Sequence, residues 1–369
     1  MPPLRSIGFV LAALASLVAL PVTQWWSDRA AGRPWVGALL WERLPTAAHL
    51  RAVEQAQQQA ATHNGYVQAL ASAPGLAWLR GADSPALPVR GLGNPADEDR
   101  LLYRPDARLI SQRPQEGNGS RASAATIHWR DQLAGRGIRL IVVVVPNKAA
   151  VQGWGGRDAT GVWRSPELQA YQAALAAKRV EVVDLHATFS ALDPTRSTKP
   201  ALYLPTDTHW SPIGLEWAAE AIVARIGWAP LAGEYRARAS ILPHVGDLER
   251  WRRPSPAPRL EAVTQVTDAR GNVVSPRAGE AEVLLLGDSF ARIFEDGDRQ
   301  GAGLRSQLVR RLGRPVALVQ QDGGGATLVR QQLVRRPEWL RGVKVVVWEF
   351  AERDLAAADA EWADVELPR

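Results

Sequence analysis

The run Ile138-Arg139-Leu140-Ile141-Val142-Val143-Val144-Val145, closed by Pro146, constrains the fold more than any other segment. With one polar residue in eight positions it leaves no face for water. β-Branched side chains favour strands, so it predicts a strand buried on both faces, as in a parallel sheet. Similar apolar stretches follow at Val180–Leu185, Val283–Leu286, Val316–Gln320 and Val343–Trp348. Helices are predicted between them. One covers Ala124–Leu133 and stops near Gly135 and Gly137. Two others open on Ser165-Pro166 and Ser211-Pro212 in the N-cap/N1 manner and run to Lys178 and Ile226. Further helices are predicted after Ser289 and over Leu328–Val334. Strand and helix alternate at crossover spacing, which predicts an α/β fold with a mostly parallel central sheet.

Outside this pattern the chain changes character. Residues 46–64 read as a helix, and residues 72–120 are broken by Pro, Gly, Asp and Ser and read as irregular. Residues 27–120 are therefore expected to pack on, or link to, a catalytic domain at 121–369. A Pro- and Arg-rich insertion interrupts that domain at about 229–280, with a short hairpin expected around Gly271-Asn272. At the N-terminus, Arg5 precedes the apolar stretch Ile7–Val22, followed by Trp25 and Trp26. A positive residue before such a run is an export pattern, and paired tryptophans suit a membrane interface. The stretch lacks a clear small-x-small cleavage site, so residues 1–26 are expected to be an uncleaved signal anchor. The rest of the chain would then be periplasmic, held at the inner membrane.

Composition narrows the chemistry. The 369 residues contain no cysteine, which excludes disulfides, thiol catalysis and cysteine-ligated metals. The net charge of +6 is carried by arginine; the only lysines are Lys148, Lys178, Lys199 and Lys344. Arginine suits bidentate contact with carboxylates, so an acidic polymer is a compatible partner. No basic run interleaves with aromatics, and no nucleic-acid partner is expected.

Two motifs can carry chemistry. Gly287-Asp288-Ser289-Phe290 follows a buried strand directly, where open α/β sheets place their sites. A serine on such a turn presents its hydroxyl, with backbone N–H groups near to stabilise an oxyanion. The same residues also suit a helix N-cap. Thr206-Asp207-Thr208-His209-Trp210 puts a histidine two residues after a carboxylate, where alternate side chains of an extended segment share a face. Histidine can take a serine proton, and a carboxylate can fix its tautomer. Asp207 can equally cap a turn before the helix at Ser211. Two more strand ends bring polar groups or glycines: Asp322-Gly323-Gly324-Gly325-Ala326, and Glu349, Glu352 and Arg353. The glycines permit a close backbone N–H or form a plain loop; the glutamates serve a site or are solvated at a helix start. The remaining histidines, His49, His63, His128, His186 and His244, show no metal-ligand spacing.

The order strand-Gly-Asp-Ser, strand-Gly, strand-polar resembles the SGNH hydrolases. Asp207-Thr208-His209-Trp210 lies before the serine, and that permuted order resembles the alginate O-acetyltransferase family of the AlgX/AlgJ type. Leu202-Tyr203-Leu204-Pro205, Ser211-Pro212-Ile213-Gly214, Val144-Val145-Pro146-Asn147-Lys148 and Trp348-Glu349-Phe350-Ala351-Glu352-Arg353 are similar to family segments, and the likeness covers about residues 120–355. It implies a three-layer SGNH hydrolase-like fold with circularly permuted motif order. It implies Ser289 as nucleophile, His209 as base and Asp207 as its orienter, with no metal or cofactor. No Asn stands at the third block, so Gly325 N–H or Arg353 is expected to serve the oxyanion. The implied activity is periplasmic O-acetylation of an exopolysaccharide in alginate biosynthesis or a related pathway. A multi-spanning membrane O-acyltransferase would supply the acetyl group. A carbohydrate acetylesterase on the same triad is the nearest rival. A non-catalytic polysaccharide-binding scaffold subunit, using some of the fifteen tryptophans for sugar stacking, is a rival of another class.

Overall fold

The computed structural model describes residues 29, 86–88, 100–111, 120–151, 164–191, 201–232, 235–252, 256–295, 301–356 and 362–368. The expected signal anchor at 1–26 and the helix at 46–64 lie outside these residues. Contacts divide the chain between Ser84 and Pro85, and every element below belongs to the second unit. Among the described residues no helix is long and apolar enough to cross a membrane.

A five-stranded sheet carries the fold. Its strands are β3 (Arg139–Val145), β4 (Glu181–Val183), β7 (Val283–Gly287), β8 (Val316–Gln320) and β9 (Val345–Ala351), in the spatial order β4-β3-β9-β7-β8. All its pairings are parallel. Alternate residues of the central strands enter two different cores. Ile141, Val143, Val145, Val283, Leu285, Val345 and Val347 pack with the helices Pro212–Ile226 and Leu304–Leu312. Leu140, Val142, Val144, Leu284, Leu286, Val346 and Trp348 pack with the helices Ser120–Ala134, Pro166–Ala177 and Leu328–Val334. The result is the expected three-layer α/β/α arrangement. Each fully buried Val, Ile or Leu contributes about 1.5–3 kcal/mol, which is why the strand sequences tolerate almost no polar residue.

Both Ser-Pro starts form as the sequence implies. Ser165 Oγ accepts from Leu168 N at 3.1 Å and Ser211 Oγ from Gly214 N at 3.2 Å, each with proline in the first turn. Other expectations shift. Asp184 caps the helix Leu185–Ala191, accepting from Ala187 N at 3.0 Å, so β4 stops at Val183 rather than Leu185. Within 72–120, β1 (Ala86–Pro88) and β2 (Leu101–Tyr103) form an antiparallel pair, and the helix Arg104–Ser111 follows. Within the insertion, β5 (Arg236–His244) and β6 (Arg259–Thr267) form a nine-residue antiparallel ribbon. Beyond it the expected short hairpin does form at Gly271-Asn272, closed by a bridge between Thr267 and Val273. The ribbon escaped the sequence pattern because most of it is exposed or half-buried; Leu242, His244, Val263 and Val266 are its buried residues.

Candidate active site

The site forms at the carboxyl edge of the sheet, beyond β3, β9, β7 and β8. On the β3 side, residues 203–210 fold back on themselves. Tyr203 bridges Trp210, Leu204 N donates to His209 O at 3.1 Å, and Ser211 N donates to Leu202 O at 2.9 Å. The segment is a turn, not the extended strand suggested by its spacing. A carboxylate two residues before a histidine works here for another reason. Asp207 Oδ1 accepts from both the His209 backbone N–H (2.9 Å) and its ring Nδ1 (2.6 Å), so one oxygen fixes main chain and ring together. This is the local Asx geometry of turns used to hold a tautomer.

Lys148 anchors the loop from below. Its ammonium is buried and donates to four carbonyls: Leu101 O (2.7 Å), Leu204 O (2.8 Å), Pro205 O (3.1 Å) and Asp207 O (2.7 Å). Burial lowers its pKa to about 8, against the pull of Asp207, Asp247 and Asp106. A compact ammonium with three donors suits a cage of carbonyls; the planar fork of arginine does not. In a chain whose cations are overwhelmingly arginine, a lysine here was the one available sequence signal for this role.

On the β7 side, Asp288 caps the single-turn helix Ser289–Arg292, its Oδ1 accepting from Phe290 N at 2.8 Å. The cap is therefore Asp288, and Ser289 is the first helical residue, partly exposed. Phe290 joins the two halves: its ring lies 4.7 Å from the His209 ring and 5.3 Å from that of Trp210, centroid to centroid. Phe290 thus packs the His209 ring against the turn that begins at Ser289. His209 Nε2 is buried and has no hydrogen-bond partner among the described residues, so Ser289 Oγ does not bond to it in this structure. Burial pulls the His209 pKa down, but the charge and hydrogen bond of Asp207, helped by Asp247 and Asp288, outweigh it and leave it raised. Burial works against the Asp207 charge too, yet His209 and His244 hold that carboxyl well below the usual range.

Gly325 sits at the β8 end. Its carbonyl accepts from Trp348 Nε1 at 2.6 Å, and a Cβ built on it would lie 3.2 Å from Asp288 Oδ2 and 2.9 Å from Phe350 Cβ. It touches the residue before Ser289 and leaves no room for a side chain. Arg353 lies over the Phe290 ring at 5.6 Å and the Tyr103 ring at 5.3 Å, and donates to Asp106 Oδ1 at 3.3 Å. Both expected oxyanion candidates therefore border the Ser289 turn.

The glutamates are buried, which removes the solvated alternative. Because β9 continues to Ala351, Glu349 lies inside the strand and accepts from Asp288 N at 3.1 Å. Burial, reinforced by the Asp288 charge, raises its pKa well above the usual value. Glu352 accepts from Asn147 N (2.8 Å), His186 Nε2 (3.0 Å) and Ser165 N and Oγ (3.1 and 2.7 Å), and so ties the ends of β9, β3 and β4 together.

Two residues absent from the sequence expectations belong to the site. His244 Nε2 lies 2.6 Å from Asp207 Oδ2, and Asp247 N donates to the same oxygen at 3.1 Å. Asp247 in turn accepts from Thr208 N at 2.8 Å and from Thr208 Oγ1. Donor atoms of Asp207, His209 and Asp247 lie within 4.8 Å of one another, a spacing a metal ion accepts. Here those atoms are engaged in the hydrogen bonds just described.

The fold and the placement of these motifs define an SGNH hydrolase-like α/β domain. The family model described as "SGNH hydrolase-like domain, acetyltransferase AlgX" matches residues 97–352, and the chain belongs to that family. Among curated proteins it is similar to the probable alginate O-acetylases AlgJ of Pseudomonas fluorescens (26% identical over 262 residues) and Pseudomonas aeruginosa (27% over 261). Those matches cover 63% of this chain, and the chain spans 62% and 64% of the two relatives' lengths. The O-acetyltransferase domain of Pseudomonas putida AlgJ has a similar structure, with a TM-score of 0.52 at 23% identity, covering 70% of this chain and 90% of that one. Pseudomonas aeruginosa AlgX gives a TM-score of 0.52 at 18% identity, covering 72% and 61%.

Proposed function

We propose that this protein is an O-acetyltransferase that passes acetyl groups through an acyl-Ser289 intermediate to hydroxyls of an alginate-like exopolysaccharide. The observation that carries the proposal is the Asp207–His209 pair brought against Phe290, with Ser289 on the adjoining strand-end turn. The Ser289 oxygen attacks the acetyl carbonyl while His209 Nε2 takes its proton, then returns that proton to the leaving group. A sugar hydroxyl attacks the acyl-enzyme, His209 takes its proton, and Ser289 leaves reprotonated. Gly325 N–H and Arg353 are the candidate oxyanion donors, a role worth roughly 3–4 kcal/mol per donor. The names of the curated relatives support the substrate class.

The proposal extends to location. Residues 1–26 anchor the chain in the inner membrane with the catalytic part in the periplasm, where a multi-spanning membrane O-acyltransferase delivers acetyl. The support is the Arg5, Ile7–Val22, Trp25-Trp26 pattern.

The decisive measurement gives the purified protein a chromogenic acetyl ester with and without an oligosaccharide acceptor. Acetylated sugar is the expected product; acetate release indifferent to every acceptor would establish an esterase instead. The pH profile is a second check. His209 must be neutral to act as base, so kcat/KM falls as the medium becomes acidic enough to charge it. Since its pKa is raised, the acid limb is expected above the ordinary histidine value of about 6.5. A limb in the ordinary carboxylate range would rule His209 out as the titrating base.

A further inference from the structure

We infer that His244 is a positioning residue of the acetyl-transfer machinery, acting on Asp207 from the ribbon that the sequence presents as an insertion. The inference rests on the Asp207–His209–Ser289 assignment above. Asp207 is held on both oxygens. Oδ1 accepts from the backbone and ring of His209; Oδ2 accepts from His244 Nε2 at 2.6 Å and from Asp247 N at 3.1 Å. A carboxylate only accepts, so His244 presents Nε2–H to it. His244 closes β5, pairs in register with Arg259 of β6, and packs its ring 5.7 Å from Phe294. It is buried, so its position is set by packing as well as by the hydrogen bond.

The next two residues press the ribbon against the loop. A Cβ on Gly246 would lie 2.1 Å from Thr206 O, so the backbone there lies flat on the residue before Asp207. Asp247 then binds Thr208 from the other side. The segment 244–247 is thus a clamp over residues 206–208, and His244 is its point of contact with the charged oxygen. A base held by a carboxylate is only as well aimed as the carboxylate; by analogy with the partners that orient metal-binding side chains, such support is worth about 10- to 100-fold in activity.

The effect is electrostatic as well as geometric. The charged and titratable groups facing Asp207 and His244 are His209, Asp247, Glu261, Lys148 and Arg259. Withdrawing the His244 donor concentrates the Asp207 charge on Oδ1, the oxygen that holds His209. That favours the imidazolium, so His209 must be deprotonated at a higher pH.

The test compares His244→Phe, His244→Gln and His244→Asn in the full chain, with Ser289→Ala alongside. Phe keeps the ring against Phe294 and removes the donor. Gln carries an amide N–H about as far as Nε2, and Asn does not reach. Expected for His244→Phe is a fall in kcat of about 10- to 100-fold with acceptor KM unchanged and the acid limb moved to higher pH. His244→Gln should restore the limb and most of the rate. If His244→Phe proves too unstable to assay, the Gln and Asn variants decide: equal activity of the two overturns the inference. Wild-type kcat and pH profile in His244→Phe, with Ser289→Ala inactive, overturns it as well. Full activity in Ser289→Ala would instead overturn the catalytic assignment on which it rests.

Discussion

Ser289→Ala is expected to lose acetyl transfer by about four to six orders of magnitude while its thermal stability hardly changes. The structure separates the two effects. The cap of the Ser289–Arg292 turn is made by Asp288, so deleting the hydroxyl removes no helix-capping bond. Ser289 is partly exposed, and alanine is a better helix former than serine. His209→Ala should cost about as much, and the double variant should be no worse than either alone, because a nucleophile without its base and a base without its nucleophile fail at the same step. Transfer rates for the three variants, read beside their melting temperatures, check this. Wild-type acetylation in Ser289→Ala would point to the scaffold role, in which the chain binds polymer and does no chemistry on it.

Lys148→Met is expected to remove activity by at least about 100-fold and to lower stability by about 3 kcal/mol. Methionine matches the length of the lysine stem but cannot donate. It would remove the shared donor of Leu101 O, Leu204 O and Asp207 O, while Pro205 O would keep only its bond from Leu101 N. A buried carbonyl left unpaired costs about 1–3 kcal/mol, and losing the dehydration cost of the ammonium offsets part of the sum. What remains falls on the loop that carries Asp207 and His209, so activity suffers more than the global fold. Lys148→Arg should fare no better, since its fork serves a planar partner. Chemical denaturation with the same transfer assay measures both quantities. A Met variant of wild-type activity would mean that the hairpin around Tyr203 and Trp210 holds the loop unaided.

How much of this was legible in the sequence depended on the distance over which each feature is determined. The buried strands announce themselves because little of either face meets water; β8 begins with its apolar run and ends one residue beyond it, at Gln320. The Ser-Pro caps are decided within four residues. Asp207, His209 and Ser289 were visible because each sits in a short motif. The end of β9 is hidden because Glu349 looks like a strand end, whereas pairing with Val143 of β3 and burial against Asp288 keep it inside the strand. His244 has no sequence neighbour that would mark it. Its partner lies 37 residues earlier, and no pattern within β5 points to it.

That same reach bears on when the site takes shape during folding. The ties that shape the site join residues 47 apart (Lys148 to Leu101), 59 apart (Lys148 to Asp207) and 205 apart (Asn147 to Glu352). Contacts of such span form late, because loop closure must come before they bring any gain. A chain leaving the ribosome N-terminus first has Asp207, His209 and Ser289 before it has β9. Until Glu352 reaches Asn147, Ser165 and His186, the segments that follow β3 and β4 lack the one carboxylate that joins them to the end of β9. The site should therefore form abruptly, with β9, the last of the five sheet strands in chain order, rather than grow as the chain lengthens.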